Sequence, residues 1–420
     1  MRIVFMALVA VIFTASIFAL DNEQKYHKVV STIEKNYYLS LSKNQIISKG
    51  LLEFVNTTSL LSKAQKKKIY IKFKSYDINK KINIIKELLV QNLFSKEEIY
   101  KILINETMKS LDANSNYLDK KHMQSLKIQT EGVYGGLGLR ISKKNSALTV
   151  LSSLHNSPAF KAGIKKGDII LKINDFTSEN ISLSEAANLM RGKVNTSIKL
   201  TILRNAEIRH LSVIRNFIQI KSVDAKKLSN DILYLKILTF DKHALEHITK
   251  LMKENLDSTK SIIIDLRNNP GGLLTQAVGI ADLFMNRGNI ITQKGRSNIP
   301  QTIYNASKEN TLTNLPLVVI INKESASAAE ILSGALQMHN RATLIGEKSF
   351  GKGNVQAIFP INKEESIKLT VAQYLLADGN SIHNIGIKPD YNVNTDIVDG
   401  YDLALDKAQE YLSNKKIKMK

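Results

Sequence analysis

The sequence predicts an α/β protein whose core occupies the carboxyl-terminal half of the chain. A nearly unbroken apolar run at residues 315–321 is typical of a strand buried on both faces of a parallel sheet, and a shorter run within residues 261–266 predicts a second strand. Each run ends in a turn, and apolar residues at helical spacing follow at about 274–285 and at 328–336. Repeated strand–turn–helix units of this kind indicate a mostly parallel sheet covered by helices.

The composition of the 420 residues is that of an ordinary globular protein, with 43% hydrophobic and 23% charged residues. The absence of cysteine excludes a disulfide framework, an iron–sulfur cluster, a thiolate zinc site and a cysteine nucleophile. The formal net charge of +21 comes mostly from scattered lysines and favours weak attraction to anionic surfaces. No nucleic-acid recognition sequence is present, so we expect no nucleic-acid partner. We also expect no cofactor and no bound metal.

Residues 1–20 are predicted to direct the chain out of the cytoplasm. A Met-Arg start precedes an uncharged apolar stretch, residues 3–20, which is the pattern of an export signal. The stretch is long for a cleaved signal and lacks a small-x-small exit, so an uncleaved membrane anchor is the alternative. In either case we expect an exported protein, periplasmic or anchored in the membrane and facing the extracytoplasmic space.

Residues 21–130 form a predicted helical region. They are rich in Lys, Ile and Leu and contain a single glycine, Gly50. Apolar residues recur at helical spacing, as at Ile82, Ile85, Leu88, Leu89 and Leu93. We expect this region to be an interaction arm through which two copies of the chain form a homodimer.

Between residues 131 and 216 the sequence changes to short strands separated by glycine turns. Gly-Gly-Leu-Gly at 135–138, Ser-Pro-Ala at 157–159, Ala-Gly-Ile at 162–164 and Gly-Asp-Ile-Ile at 167–170 occur in this order, and the region resembles a PDZ domain. Its glycines allow backbone N–H groups to converge on a carboxylate, and an extended peptide can add to the adjacent strand. The predicted peptide-binding residues are Tyr134, Gly135, Gly136, Leu137, Gly138, Leu139, Leu183, Ala187 and Met190.

Two serines lie on the bend after the second apolar run. Residues 322–330 read Asn-Lys-Glu-Ser-Ala-Ser-Ala-Ala-Glu, which places Ser325 and Ser327 between a buried strand and the start of a helix. Open α/β sheets bind ligands at this end of their strands, and free N–H groups at a helix start can stabilise an oxyanion. The alternative is a capping box, in which Ser327 and Glu330 satisfy the first N–H groups of the helix. This segment alone leaves both interpretations open.

Lys352 is a candidate general base because glycines flank it on both sides, at Gly351 and Gly353. Such flanks suit a lysine that is pressed into a dry site with backbone packed closely around it. Desolvation lowers the pKa of a lysine and makes its amine a competent base. If Lys352 belongs to the strand that follows, Gln356 lies on the same face and can hold the amine in position.

Three motifs together resemble the carboxy-terminal processing proteases, also called tail-specific proteases. They are Asp-Leu-Arg-Asn-Asn-Pro-Gly-Gly at 265–272, the serine segment at 322–337, and Phe-Gly-Lys-Gly-Asn-Val-Gln at 350–356. The resemblance implies a crotonase-like α/β serine protease core at 217–395, into which the PDZ domain of residues 131–216 is inserted. A carboxyl-terminal helix and tail follow at 396–420.

The resemblance also assigns roles to individual residues. Ser327 is implied as the nucleophile, Lys352 as the general base and Gln356 as its support. The oxyanion hole is implied to combine the N–H of Ala328 with that of one glycine, Gly271 or Gly272. The sequence departs from the pattern of many members at Ala329, where they carry a third serine, and at Met338, where some carry an acidic residue.

The function implied is that of a serine endopeptidase that cleaves near the free, apolar carboxyl termini of exported proteins through an acyl-enzyme. Two alternatives come from other features. His-Ala-Leu-Glu-His at 243–247 matches the inverted zinc-protease signature, which would make His243, Glu246 and His247 a metal site. A PDZ protein that binds tails without cleaving them is the second alternative.

Overall fold

The computed structural model describes residues 21–144, 146–296 and 301–418. The amino-terminal region is helical, as the spacing of its apolar residues predicts. Each of its first five helices begins after an Asp or Ser whose side chain accepts a hydrogen bond from the N–H three residues on. The elements are α1 (Asn22–Asn36), α2 (Lys43–Thr57), α3 (Lys63–Ser75), α4 (Ile78–Gln91), α5 (Lys96–Lys109), β1 (Asn116–Leu118) and α6 (Lys120–Glu131).

The glycine-rich region forms a separate small sheet joined to the rest of the molecule by a two-stranded ribbon. The ribbon pairs β2 with β9 in antiparallel register, and the sheet has the order β3-β4-β5-β7-β8 with β6 beside β5. The elements are β2 (Val133–Gly136), β3 (Leu139–Lys144), β4 (Ala147–Ser153), α7 (Pro158–Lys161), β5 (Ile169–Ile173), β6 (Phe176–Thr177), α8 (Leu183–Met190), β7 (Ser197–Arg204), β8 (Glu207–Ile214) and β9 (Asn216–Gln219).

The remaining chain forms the α/β core. Its elements are β10 (Val223–Leu228), β11 (Ile232–Ile237), α9 (Ala244–Asn255), β12 (Ser261–Asp265), α10 (Leu274–Asp282), β13 (Asn289–Lys294), β14 (Thr302–Asn305), β15 (Leu317–Ile321), α11 (Ala328–Met338), β16 (Thr343–Gly346), β17 (Asn354–Pro360), β18 (Ser366–Leu375), β19 (Tyr391–Asn392) and α12 (Leu403–Lys418). Short 3-10 turns occur at Ser178–Asn180, Ser229–Asp231, Leu256–Ser258 and Lys308–Asn310.

Two sheets build this core. The first has the order β10-β11-β12-β15-β16-β19, in which β10 is antiparallel and the other neighbours are parallel. Strands β12 and β15 are buried along their whole length, as the apolar runs predict, with helices α9, α10 and α11 against one face and α12 against the other. Because β12 and β15 are parallel neighbours, the loops after them meet at one edge of the sheet.

The second sheet, β1-β18-β13-β14 with β17 beside β18, joins the core to the amino-terminal helices. Ile367 and Leu369 of β18 are buried in the same hydrophobic cluster as Tyr26, Leu51 and Leu103 of α1, α2 and α5. The helical region therefore packs directly on the strand pair that follows Lys352.

These features confirm the predicted fold class, an α/β core with an inserted domain of short strands. The predicted carboxyl-terminal helix is α12, which extends to Lys418. None of the described helices combines the length and apolar character needed to cross a membrane. The predicted export signal or anchor at residues 1–20 lies outside the described residues.

Candidate active site

Ser327 is the last residue before helix α11, and its backbone is strained. It adopts φ 57° and ψ −114°, a conformation that residues other than glycine rarely occupy. The opposing loop lies very close, since a Cβ added to Gly271 would be 2.8 Å from the Cβ of Ser327. Strain of this kind persists only where the surrounding structure imposes it, and it is concentrated at functional sites.

The structure distinguishes the two candidate serines. Ser325 is fully buried, its hydroxyl donates to the carbonyl of Leu266 at 2.8 Å, and its oxygen accepts the N–H of Asn322 at 2.9 Å. These bonds hold the turn after β15 against the loop after β12. Ser327 is only partly buried, so its hydroxyl is the one presented at the edge of the sheet.

Glu330 connects Ser327 to Lys352. The capping-box interpretation of Glu330 did not predict this role. Its carboxylate is fully buried and accepts four hydrogen bonds. The donors are Ser327 N–H (2.8 Å), Ser349 Oγ–H (2.6 Å), Gly351 N–H (2.6 Å) and Lys352 N–H (2.8 Å). One side chain therefore fixes the backbone of both predicted catalytic residues. The capping-box spacing was the sequence signal for the bond to Ser327, but nothing local indicated the other three.

Lys352 is half-buried in a loop whose backbone requires glycine on both sides of the lysine. Gly351 has φ +94°, and a Cβ on Gly353 would lie 2.4 Å from the backbone nitrogen of His383. Burial lowers the pKa of Lys352 below the usual lysine range, although the nearby Glu330 carboxylate opposes this shift. The close packing and the direction of the pKa shift agree with what the flanking glycines predict.

Gln356 is placed differently from the expectation. Lys352 precedes β17, and a β-bulge between Val355 and Gln356 interrupts the alternation of faces, so the argument from strand periodicity does not hold. The amide of Gln356 donates to the carbonyl of Asn354 at 3.1 Å, and Gln356 lies opposite Thr370 of β18.

The predicted oxyanion donors lie in two places: Gly271 and Gly272 in the loop after β12, and Ala328 at the start of α11. The N–H of Gly271 donates to Oδ1 of Asn269 at 2.8 Å, so it is already occupied. Within the described part of the chain, the N–H groups of Gly272 and Ala328 form no hydrogen bond. The structure therefore favours Gly272 over Gly271 as the partner of Ala328.

Only part of the predicted peptide-binding loop can offer its backbone N–H groups to a carboxylate. Tyr134, Gly135 and Gly136 belong to β2 and pair with β9, so they are strand residues and not part of a free nest. The turn proper is Leu137–Gly138, where Gly138 has φ +74° and neither N–H is bonded to another described residue. Leu139 begins β3, the strand to which a peptide would add.

Helix α8 forms the wall of the predicted peptide groove opposite β3, and one of its three predicted residues is not exposed there. Leu183 of α8 is 41% exposed and Ala187 is partly buried, as groove residues require. Met190 is only 5% exposed and packs in the core of the small domain, so its side chain does not line an open groove. The helical spacing placed Met190 on this face without revealing that its side chain packs into the domain core.

The histidine motif does not assemble a metal site. His243 and His247 stack with ring centroids 5.8 Å apart, and Glu246 points into solvent. Both ring nitrogens of His247 face partners within the protein, Ser222 and Gln219. No cluster of three or more His, Asp or Glu side chains suited to a metal occurs among the residues that the structure describes.

Fold and site together are those of a serine-type peptidase that carries a PDZ domain. The family model for Peptidase family S41 matches residues 231–393, and the model for the PDZ domain matches residues 135–214. The chain is 37% identical over 316 residues to a carboxy-terminal-processing protease of Bartonella bacilliformis, covering 73% of each chain. It is 34% identical over 343 residues to a CtpA-like serine protease of Staphylococcus aureus, covering 76% of this chain and 68% of the relative.

A solved structure has the same fold. The photosystem II D1 C-terminal processing protease matches 91% of this chain and 95% of its own, with a TM-score of 0.50 and 22% identity. The chain therefore belongs to peptidase family S41, and it is a serine-type endopeptidase of the carboxy-terminal processing class.

Proposed function

We propose that this protein cleaves exported proteins near their carboxyl termini and that Ser327 and Lys352 form its catalytic dyad. The observation that carries the proposal is the Glu330 carboxylate, which holds the N–H groups of both residues at 2.8 Å. The contrast with Ser325, whose hydroxyl is buried and bonded within the protein, supports Ser327 as the nucleophile.

In the proposed mechanism, the neutral amine of Lys352 accepts the proton of the Ser327 hydroxyl as the oxygen attacks the substrate carbonyl. The N–H groups of Ala328 and Gly272 stabilise the oxyanion that develops. The Lys352 ammonium then protonates the leaving amine, and the carbonyl carbon remains esterified to Ser327. Lys352, neutral again, activates the water that hydrolyses this acyl-enzyme. Gln356 supports the amine after its side chain turns away from Asn354.

The PDZ domain is proposed to select the substrate by its carboxyl end. The unbonded N–H groups of Leu137 and Gly138 suit a terminal carboxylate, and a strand added along β3 would place apolar side chains beside Leu183 and Ala187. The test compares a protein substrate with a free carboxyl tail and the same substrate with an amidated tail at limiting concentration. We expect the amide to be cleaved markedly more slowly, and equal rates would reject carboxylate recognition.

We further propose that the protein acts outside the cytoplasm, with residues 3–20 as signal or anchor, and that the helical region mediates homodimer formation. Exposed apolar residues on and after helices α3 and α4 support the second point: Ile71 is 62%, Val90 59% and Leu93 94% exposed. Light scattering of the protein and of a Leu93→Glu variant tests it, and equal masses for the two would argue against this surface.

A further inference from the structure

The PDZ domain is connected to the protease core by the short β2–β9 ribbon. In its antiparallel register, Val133 lies opposite Gln219 at the end nearest the core, and Gly136 lies opposite Asn216 at the far end. The far end leads directly into the Leu137–Gly138 turn. Any change in the direction of the ribbon therefore moves the proposed tail-binding loop relative to the protease core.

Both connections converge on one buried carboxylate at the core end of the ribbon. Asp241, which precedes α9, and Ser222, which follows β9, are fully buried, and the Ser222 hydroxyl donates to the Asp241 carboxylate at 2.8 and 2.9 Å. On the entering side, Gly132 approaches so closely that a Cβ there would lie 2.6 Å from Asp241 Oδ2. The N–H of Ile220 donates to the Gly132 carbonyl at 2.7 Å, which ties the two connections to each other.

His247 extends this cluster to the ribbon itself. Because the Ser222 hydroxyl donates its proton to the carboxylate, its oxygen accepts from His247 Nδ1–H at 3.1 Å. In the neutral ring the other nitrogen, Nε2, is then an acceptor, placed 3.1 Å from the side-chain amide nitrogen of Gln219. The histidine is thus held in one tautomer and bridges a residue of the ribbon to the buried Ser222–Asp241 pair.

We propose that Ser222 and His247 are positioning residues, which anchor the β2–β9 ribbon to the protease core and so set where the PDZ domain presents a bound tail to the active site. The inference rests on the proposed tail recognition. The proposal gives the His-x-x-Glu-His motif at 243–247 a structural role that involves no metal. In that role His247 bonds the ribbon and His243 does not.

The two histidines provide a matched pair of variants. His247→Phe retains a ring that can stack on His243 but has no nitrogen to bond Ser222 or Gln219. His243→Phe makes the same change at the residue just before α9, where a ring nitrogen lies 3.6 Å from the exposed Glu246 carboxylate. The bond from its backbone N–H to Asp241 at 2.9 Å is kept in this variant. Neither histidine belongs to the proposed catalytic machinery.

The experiment measures kcat and KM of the full chain on a protein substrate with a free apolar tail and on a short peptide blocked at both ends. We expect His247→Phe to change the KM for the tailed substrate several-fold and to leave both constants for the blocked peptide unchanged. Amide exchange should become faster at Ile220 and at Leu238, whose N–H donates to the Ser222 carbonyl. His243→Phe should match the wild type in every measurement.

Unchanged kinetics and unchanged amide exchange in His247→Phe would overturn the proposal. So would an equal loss of activity on the blocked peptide, since this indicates general damage to the fold. Failure of the proposed tail recognition is separable, because the wild-type enzyme would then cleave free-acid and amidated tails equally. In that case the amide exchange at Ile220 and Leu238 alone decides whether the anchor exists.

Discussion

Replacing Glu330 with Gln tests whether one carboxylate holds the dyad together. The amide can keep an oxygen facing the N–H groups of Ser327 and Lys352. Its NH2 group then faces the Ser349 hydroxyl, which can turn and accept from it, and Gly351 N–H, which cannot accept and loses its bond. Losing this bond costs about 1.5–3 kcal/mol, since the acceptor was charged. The other three bonds become neutral and roughly half as strong. With the carboxylate fully buried, we expect a total loss of about 3–5 kcal/mol in the free energy of unfolding.

Urea unfolding in a Ser327→Ala background, which prevents self-cleavage, measures this loss. The matched control is Glu347→Gln, at a partly buried glutamate of the loop that carries Lys352; its side chain is bonded to Thr395 and not to the dyad. In the active enzyme, Glu330→Gln should also shift the rise of activity to lower pH, because the negative charge that favours the protonated form of Lys352 is gone. An unfolding midpoint and kcat equal to those of the parent would refute the reasoning.

Further predictions concern the dyad itself. Ser327→Ala should abolish peptide hydrolysis, whereas Ser325→Ala should remain active. Ser325→Ala should lose about 1–3 kcal/mol in the free energy of unfolding, because it leaves the buried N–H of Asn322 unpaired. A Ser325→Ala variant that is inactive but fully stable would contradict this. Activity should rise with pH and reach half its maximum below the usual lysine range, since burial lowers the pKa of Lys352. Lys352→Arg should be inactive at every pH tested, because guanidinium stays charged. A rise of activity at the pH where histidine titrates, retained in Lys352→Ala, would argue against Lys352 as the general base.

The core was predictable because its strands carry local signals. Every side chain at 262–264 and 317–321 is apolar, which is the pattern of strands buried on both faces of a sheet. Their parallel pairing then brings the following loops together at one edge. The glycines around Lys352 were informative for a similar reason, since Gly353 faces the backbone of His383 with no room for a side chain.

Features that depend on distant partners were not predictable. The positive φ of Ser327 arises where the Gly271 loop presses on it, and three of the four bonds to Glu330 come from residues 19–22 positions further along. The sequence predicts Tyr134 and Gly135 in a peptide-binding loop because their strand partner, β9, lies about eighty residues away. The bulge before Gln356 likewise has no local sequence signal.

Covalent labelling with a fluorophosphonate probe, followed by peptide mapping, tests the central claim most directly. A serine activated by Lys352 should carry the adduct at Ser327 alone, and labelling should be lost in Lys352→Ala and in Ser327→Ala but retained in Ser325→Ala. An adduct on another residue of the wild-type protein, or undiminished labelling of Ser327 in Lys352→Ala, would contradict the Ser327–Lys352 dyad.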